Sequence, residues 1–254
     1  MEPAARRAMP DYGAPRPVRS HTGRVVDDLG MAIVSGKLAQ GNLLPGDSEM
    51  MARYGVSRTV LREALKTLSA KGLVKAKARI GTRVCQRAEW NLFDPDVLIW
   101  HARAGLKADF LAHLGEMRMA FEPEAAALAA LRRSPEQLEE IETWLDRMSD
   151  PGIRQDEFVR ADLGLHLAVA GAAGNPFFLS LSTLIEVALV TMLAASSPVD
   201  DERRLAASVA QHRAVGSAIA TQDPSAAREA MRTAVQNGIE HSTRATLNLS
   251  RKDA

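Results

Sequence analysis

Apolar residues recur at helical spacing along almost the whole chain. Val25, Val26, Leu29 and Ile33 share one face of a helix predicted from Thr22 to about Ser35, with Gly36 to stop it. Leu43-Leu44-Pro45-Gly46 reads as a turn, after which Asp47 or Ser48 can cap a short helix ending at Tyr54-Gly55. Ser57 can cap the next helix, which runs to about Lys71 and meets Gly72. On it, Leu61, Ala64, Leu65 and Leu68 fall within an arc of about 100°. Arg58, Thr59, Arg62, Glu63, Lys66 and Ser69 occupy a separate arc. Strand-like alternation follows at Leu73-Val74 and Thr82-Arg83-Val84, a hairpin whose tip holds Lys77, Arg79 and Gly81.

Residues 87–94 read as a linker. Beyond it the pattern predicts helices only, over Pro95–Ala104, Ala108–Leu131, Pro135–Met148, Asp156–Ala173, Pro176–Ala195, Glu202–Thr221 and Pro224–Leu247. Ser134-Pro135, Asn175-Pro176 and Asp223-Pro224 are capping pairs. The fold class that follows is mainly α. A winged helix-turn-helix domain over 20–86 precedes an all-α bundle over 95–248, and a basic arm without a fixed fold is expected over 1–19.

Two domains fit a chain of 254 residues. The net charge of +1 conceals an asymmetry: Met1 to Trp90 carries 16 Lys and Arg against 8 Asp and Glu, leaving 16 against 23 for the remainder. A basic front joined to an acidic back points to a polyanion partner for the first part. The single cysteine, Cys85, rules out an internal disulfide and suits a reducing compartment. The most apolar run, Phe177 to Ala195, is interrupted by Ser180, Ser182, Thr183, Glu186 and Thr191, too polar for a bilayer. A cytoplasmic protein without a membrane partner is expected.

Arg58 and Arg62 leave one side of the helix near its N-terminus. The arginine fork matches the O6 and N7 acceptors of guanine, whereas Ser57, Thr59 and Lys66 are placed for phosphates. Lys75, Lys77, Arg79 and Arg83 give the hairpin a basic edge. The stretch LPGDSEMMARYGVSRTVLREALKTLSAKGLV with IGTRV resembles the DNA-binding domain of the GntR superfamily of bacterial transcription regulators, and VSRTVLREAL is its most specific part. The helical remainder resembles the ligand-binding FCD domain of the FadR branch. The resemblance implies base contacts from Arg58 and Arg62 and a wing that touches the minor groove. It also implies a homodimer on an inverted repeat of double-stranded DNA. Two positions depart from the pattern: Ser48 stands where many members carry a charged residue, and Arg79-Ile80-Gly81 replaces a two-glycine wing tip.

In the back half Asp162 and His166 are spaced i, i+4, so that a carboxylate and an imidazole share a helix face, with His212 on a later helix. That spacing suits either a surface hydrogen bond or part of a divalent metal site. Resemblance to the FCD domains implies a zinc-like metal held by Asp162, His166 and His212, with Ala234 where a fourth histidine is expected. Water or an effector carboxylate could complete such a shell; alternatively His166 and His212 touch the effector without a metal. Arg118 matches an arginine that faces the pocket in this family, and Glu122 at i+4 offers it an intrahelical partner instead.

The run from Trp90 to Trp100 resembles the galactonate-responsive, DgoR-like repressors of the branch and directs attention to a small sugar-acid effector. Lactate or a hexuronate are alternatives within the same class. The rival from another class is a helical metal-dependent hydrolase using Asp162, His166 and His212. It lacks a carboxylate with an argued role as general base, and the chain is expected not to be an enzyme. Cys85 is expected to pack, and His21, His101, His113 and His241 to be solvated.

Overall fold

Ser20 opens the first helix, α1 (His21–Val34), its hydroxyl accepting from the Gly23 amide at 3.0 Å. Two more helices follow, α2 (Asp47–Tyr54) and α3 (Arg58–Ala70), and then the antiparallel hairpin β1 (Val74–Lys77) and β2 (Gly81–Val84). Gly55 makes the turn between α2 and α3 in the left-handed region, φ +63°, where a side chain would be strained. Val25, Leu29 and Ile33 of α1, Met50 of α2, and Leu61, Ala64 and Leu68 of α3 form one core with Leu73 and Val84. Full burial of each large aliphatic there contributes about 1.5–3 kcal/mol.

The hairpin pairs Val74 with Val84, Lys75 with Arg83, Ala76 with Thr82 and Lys77 with Gly81. The residues read as a plain turn before α2 do more than turn. Leu43 bridges to Arg83, the Leu44 amide donates to Thr82 O at 2.8 Å, and the Val84 amide donates to Asn42 O at 2.9 Å. The wing is thereby stitched along its β2 edge to the segment that leads into the helix-turn-helix.

The structure is a computed structural model that describes residues 20–105 and 108–250, the side chains of 108, 182, 183, 194, 195 and 245–250 excepted. The arm expected over 1–19 lies outside the described residues. The chain divides into two compact units, Met1–Leu106 and Lys107–Ala254. This corrects one expected boundary. Helix α4 (Pro95–Arg103), expected to begin the bundle, packs on α1 within the first unit. Asp94 caps it, accepting from the Asp96 and Val97 amides, while the Lys71 ammonium holds Asp94 at 2.8 Å and Asp96 at 2.9 Å. Trp100 and Val97 join the core of that unit, so the stretch 87–94 is fastened to it and does not act as a free linker.

The second unit contains α5 (Ala108–Arg132), α6 (Pro135–Met148), α7 (Gln155–Ala172), α8 (Pro176–Ser180), α9 (Ser182–Ser196), α10 (Glu202–Ala220) and α11 (Pro224–Ser250). Helix α5 runs through Pro123, and its most extensive neighbour is α11. The core collects Ala126, Ala129 and Ala130 of α5, Ile141, Leu145 and Met148 of α6, Phe158, Leu165 and Val169 of α7, and Val215 and Ile219 of α10. The alanines let neighbouring helices approach closely. The single helix expected over Pro176–Ala195 is two: Leu181, with ψ near 0°, ends α8 and starts α9. Phe178 stacks on Phe121 of α5 with centroids 6.3 Å apart, holding the short helix in place.

Candidate nucleic-acid interface and effector cavity

In the first unit, burial on α3 is confined to the predicted apolar arc, within which Leu65 is only half-buried. Ser57, Arg58, Thr59, Arg62 and Lys66 are all exposed. Among the described residues neither Arg58 nor Arg62 makes a side-chain hydrogen bond or an ion pair. Ser57 has a structural task as well, since its hydroxyl oxygen accepts from the Val60 amide at 3.4 Å and caps α3. The hydroxyl proton stays available for a donor role. Lys66 pairs with Glu63 at 2.8 Å, and so part of its charge is offset within the helix.

Lys77, Arg79 and Arg83 are exposed on the wing, also without a charged partner among the described residues. Arg79 takes φ +62° and Gly81 φ +117°, so the tip makes two left-handed steps and one of them is made by an arginine. That conformation costs a residue with a side chain roughly 1–2 kcal/mol. Lys75 lies directly across from Arg83, and its contact with Glu89 is a loose 3.9 Å. Like charges placed opposite each other weaken a hairpin by several tenths of a kcal/mol, roughly. The surface is therefore arranged against its own stability in the manner expected for a polyanion partner.

The second unit brings Arg118, Asp162, His166 and His212 together, all of them buried. They line a cavity of about 330 Å³ with Met192, Ala234 and other residues of α9, α10 and α11. One ligand atom from each of Asp162, His166 and His212 falls within 4.8 Å of the others. Asp162 Oδ1 is 3.0 Å from His212 Nε2 and 4.0 Å from His166 Nε2. His212 Nδ1 donates to the Ser208 carbonyl at 2.7 Å. A neutral His212 ring therefore turns its Nε2 lone pair toward a carboxylate oxygen, and two acceptors hold that separation only with a proton or a cation between them. Two imidazoles and a carboxylate are also a donor set that suits a divalent zinc-like ion, so the residues fit such a group.

The electrostatics agree with this. Burial works against a charge on Asp162, but the hydrogen bond from His212 and the neighbouring positive charges hold its carboxyl below the ordinary value. Burial likewise works against a charged His212, and Asp162 outweighs it and raises the imidazole. The spacing reading missed Glu122 as a member of the site. Glu122 accepts from Arg118 Nε at 2.5 Å and from His166 Nδ1. Despite full burial, Arg118 and His166 lower its carboxyl to about 2. Both sequence readings of Arg118 hold together: it pairs with Glu122 and it lines the cavity.

The remaining histidines divide. His101 is buried, its Nδ1 bonded to the Val97 carbonyl at 2.8 Å and its ring edge-on to Trp90, contrary to the solvated state expected. His241 is exposed but lines the cavity. Cys85 is buried, with burial raising its thiol.

Comparison with known proteins agrees with this two-part architecture. Residues 21–84 match the family of bacterial regulatory proteins named gntR, and residues 113–237 match the FCD domain. The chain is 32% identical to the galactonate operon transcriptional repressor of Escherichia coli over 84% of its own length and 93% of that protein. It is also 32% identical to the transcriptional repressor NanR of Cronobacter sakazakii, over 82% and 80% of the two chains. Among solved structures, the Listeria monocytogenes regulator Lar, which controls the agr system, superposes with a TM-score of 0.60 at 19% identity, covering 89% of this chain and 98% of that one. That likeness concerns the fold alone. Among the described residues no helix is long and apolar enough to cross a membrane. A gntR-type domain that binds DNA, followed by an FCD domain that binds small-molecule effectors, makes this chain a transcriptional regulator and not an enzyme, and it belongs to the FCD branch of the gntR family.

Proposed function

We propose that the protein is a cytoplasmic homodimeric repressor of an operon for sugar-acid catabolism, released from its operator by a small carboxylate of the galactonate type. Arg58 and Arg62 read base edges in each half of an inverted repeat, while Ser57, Thr59 and Lys66 hold phosphates. Lys77, Arg79 and Arg83 carry the wing onto the neighbouring groove. Arg118 meets the effector carboxylate, and Asp162, His166 and His212 are the residues that would hold a divalent ion, which would supply Lewis acidity toward the effector's oxygens.

The observation that carries the effector reading is the cavity itself. A buried guanidinium and three buried metal-type ligands line one space of about 330 Å³, room enough for a six-carbon acid. Most of Arg118's charge is answered by Glu122, but among the described residues its Nη1 meets only Met192 Sδ, at 3.8 Å, a weak acceptor. An effector carboxylate is the stronger partner. Release follows if the effector binds the DNA-incompetent state more tightly than the DNA-bound one. The relative named for the galactonate operon makes galactonate the first compound to try.

Thermal shift of the purified chain against galactonate, glucuronate and lactate, each with and without chelator, tests the assignment. A true effector raises the melting temperature with its saturation and also releases operator DNA in a gel shift. Stabilisation by lactate alone moves the effector to the short hydroxy acids. No response to any acid overturns the effector reading.

A further inference from the structure

We propose that Glu122 is the positioning residue of the cavity: it fixes the His166 tautomer for the metal and turns one edge of Arg118 toward the effector. The inference deepens the functional reading above and rests on it for the ligands, but its central claim concerns atoms already present in the ligand-free chain.

Glu122 stands one turn after Arg118 on α5, and its side chain is buried. Its two oxygens have different duties. Oε1 accepts from Arg118 Nε at 2.5 Å; Oε2 accepts from Arg118 Nη2 at 3.3 Å and from His166 Nδ1. An ionised carboxylate can only accept, so His166 must carry its proton on Nδ1. In the neutral ring Nε2 then carries the lone pair, and it faces Asp162 Oδ1, 4.0 Å away, and the rest of the ligand cluster. A carboxylate behind a ligating histidine sets ring orientation and raises basicity, and losing it typically lowers metal affinity about 10–100-fold.

The same carboxylate sorts the donors of Arg118. With Nε and Nη2 bound to Glu122, the guanidinium plane is fixed and Nη1 is left against Met192 Sδ. Glu122 thus answers the arginine's charge through two donors and leaves the third on a weak sulfur acceptor, Met192, itself a cavity-lining residue. Asp162 is engaged elsewhere, its Oδ1 standing 3.0 Å from His212 Nε2.

The test separates tautomer from mere stability. Nitrogen-15 spectra of the full metal-free chain at pH 8 report the His166 tautomer directly, with His166→Gln for assignment. Wild type is expected to show Nδ1–H; an Nε2–H ring in wild type overturns the proposal whatever the variants do. In Glu122→Gln the amide oxygen stays with the charged Arg118, and the amide NH2 then faces His166 Nδ1. The ring is expected to switch to Nε2–H and Zn2+ affinity, read by competition with a chromophoric chelator, to fall about 10–100-fold. Glu122→Asp keeps a pure acceptor and is expected to keep Nδ1–H. Zn2+ affinity in Glu122→Gln within twofold of wild type, with the melting temperature retained, also overturns the proposal. If wild type binds no Zn2+ at all, the metal reading fails on its own, and the wild-type tautomer still decides the role of Glu122.

Discussion

The Trp100 indole lies so close to Gly30 that a methyl group on that glycine would meet the ring carbons at 2.4 to 2.6 Å. The indole nitrogen donates to Asp27 at 2.6 Å, and Arg103 pairs with the same carboxylate at 2.9 Å. Helix α4 is locked to α1 by this contact. Gly30→Ala is expected to destabilise the DNA-binding unit by roughly 1–3 kcal/mol through overpacking, and Trp100→Ala by about 3–5 kcal/mol through the void it leaves. Urea unfolding followed by circular dichroism measures both. Midpoints unchanged in both variants would mean that the packing is not as described.

Arg58→Ala and Arg62→Ala are each expected to weaken operator binding by about 1–3 kcal/mol per half-site and to relax sequence preference, with the melting temperature unmoved. Lys77→Ala should instead weaken all sequences about equally. If a dimer makes about eight phosphate contacts, the logarithm of affinity should fall with the logarithm of salt at a slope near −7. Fluorescence anisotropy across a potassium chloride series reads all three, and a flat salt response would remove the DNA interface from α3.

Acid should loosen the effector domain through Glu122. Its folded-state value of about 2 lies below the ordinary 4.5, so it adds stability above 4.5 that disappears as the pH falls toward 2. The separation corresponds to about 3 kcal/mol, by order of magnitude. Denaturant midpoints measured from pH 6 to pH 2 should decline in wild type and decline less steeply in Glu122→Gln. Parallel curves would show that the carboxylate is not held as charged as its surroundings suggest.

His212 works in the opposite direction. Its folded value is raised above 6.5, so its pairing with Asp162 stabilises the chain below that pH and is lost as the pH climbs through the raised value. A metal needs the ring neutral, and so the Zn2+-induced rise in melting temperature should be larger at pH 8 than at pH 6. Calorimetry in buffers of differing ionisation enthalpy should register a proton released on binding. An equal rise at both pH values would argue that His212 is not a ligand.

Legibility in the sequence followed the range of the interactions. The exposed basic arc of α3 was readable because its period lies within a single helix: Leu61, Ala64 and Leu68 turn inward and Arg58 and Arg62 outward. Capping pairs placed the starts of α6, α8 and α11 for the same reason. What needed distant partners was missed. Trp100 reads as a generic apolar residue until Gly30 and Asp27, some 70 positions earlier, are seen beside it. Leu43 looks like a turn residue because its partner is Arg83. The break at Leu181 has no glycine or proline to announce it. Glu122 was visible as the i+4 partner of Arg118, but nothing local tells that its second oxygen reaches α7 and His166. The boundary placed at residue 94 failed on the same ground, since the grip of Lys71 on Asp94 and Asp96 spans more than twenty residues.

The wing faces Lys75 with Arg83, rung against rung, on strands held by backbone bonds. That one rung behaves as a loaded spring: its rails are fastened while its two charges push apart, and a bound anion would let it relax. Added salt slackens the spring and the attraction for DNA together, since counterions quiet the same charges. The free hairpin should grow calmer in the very solutions where the complex comes apart.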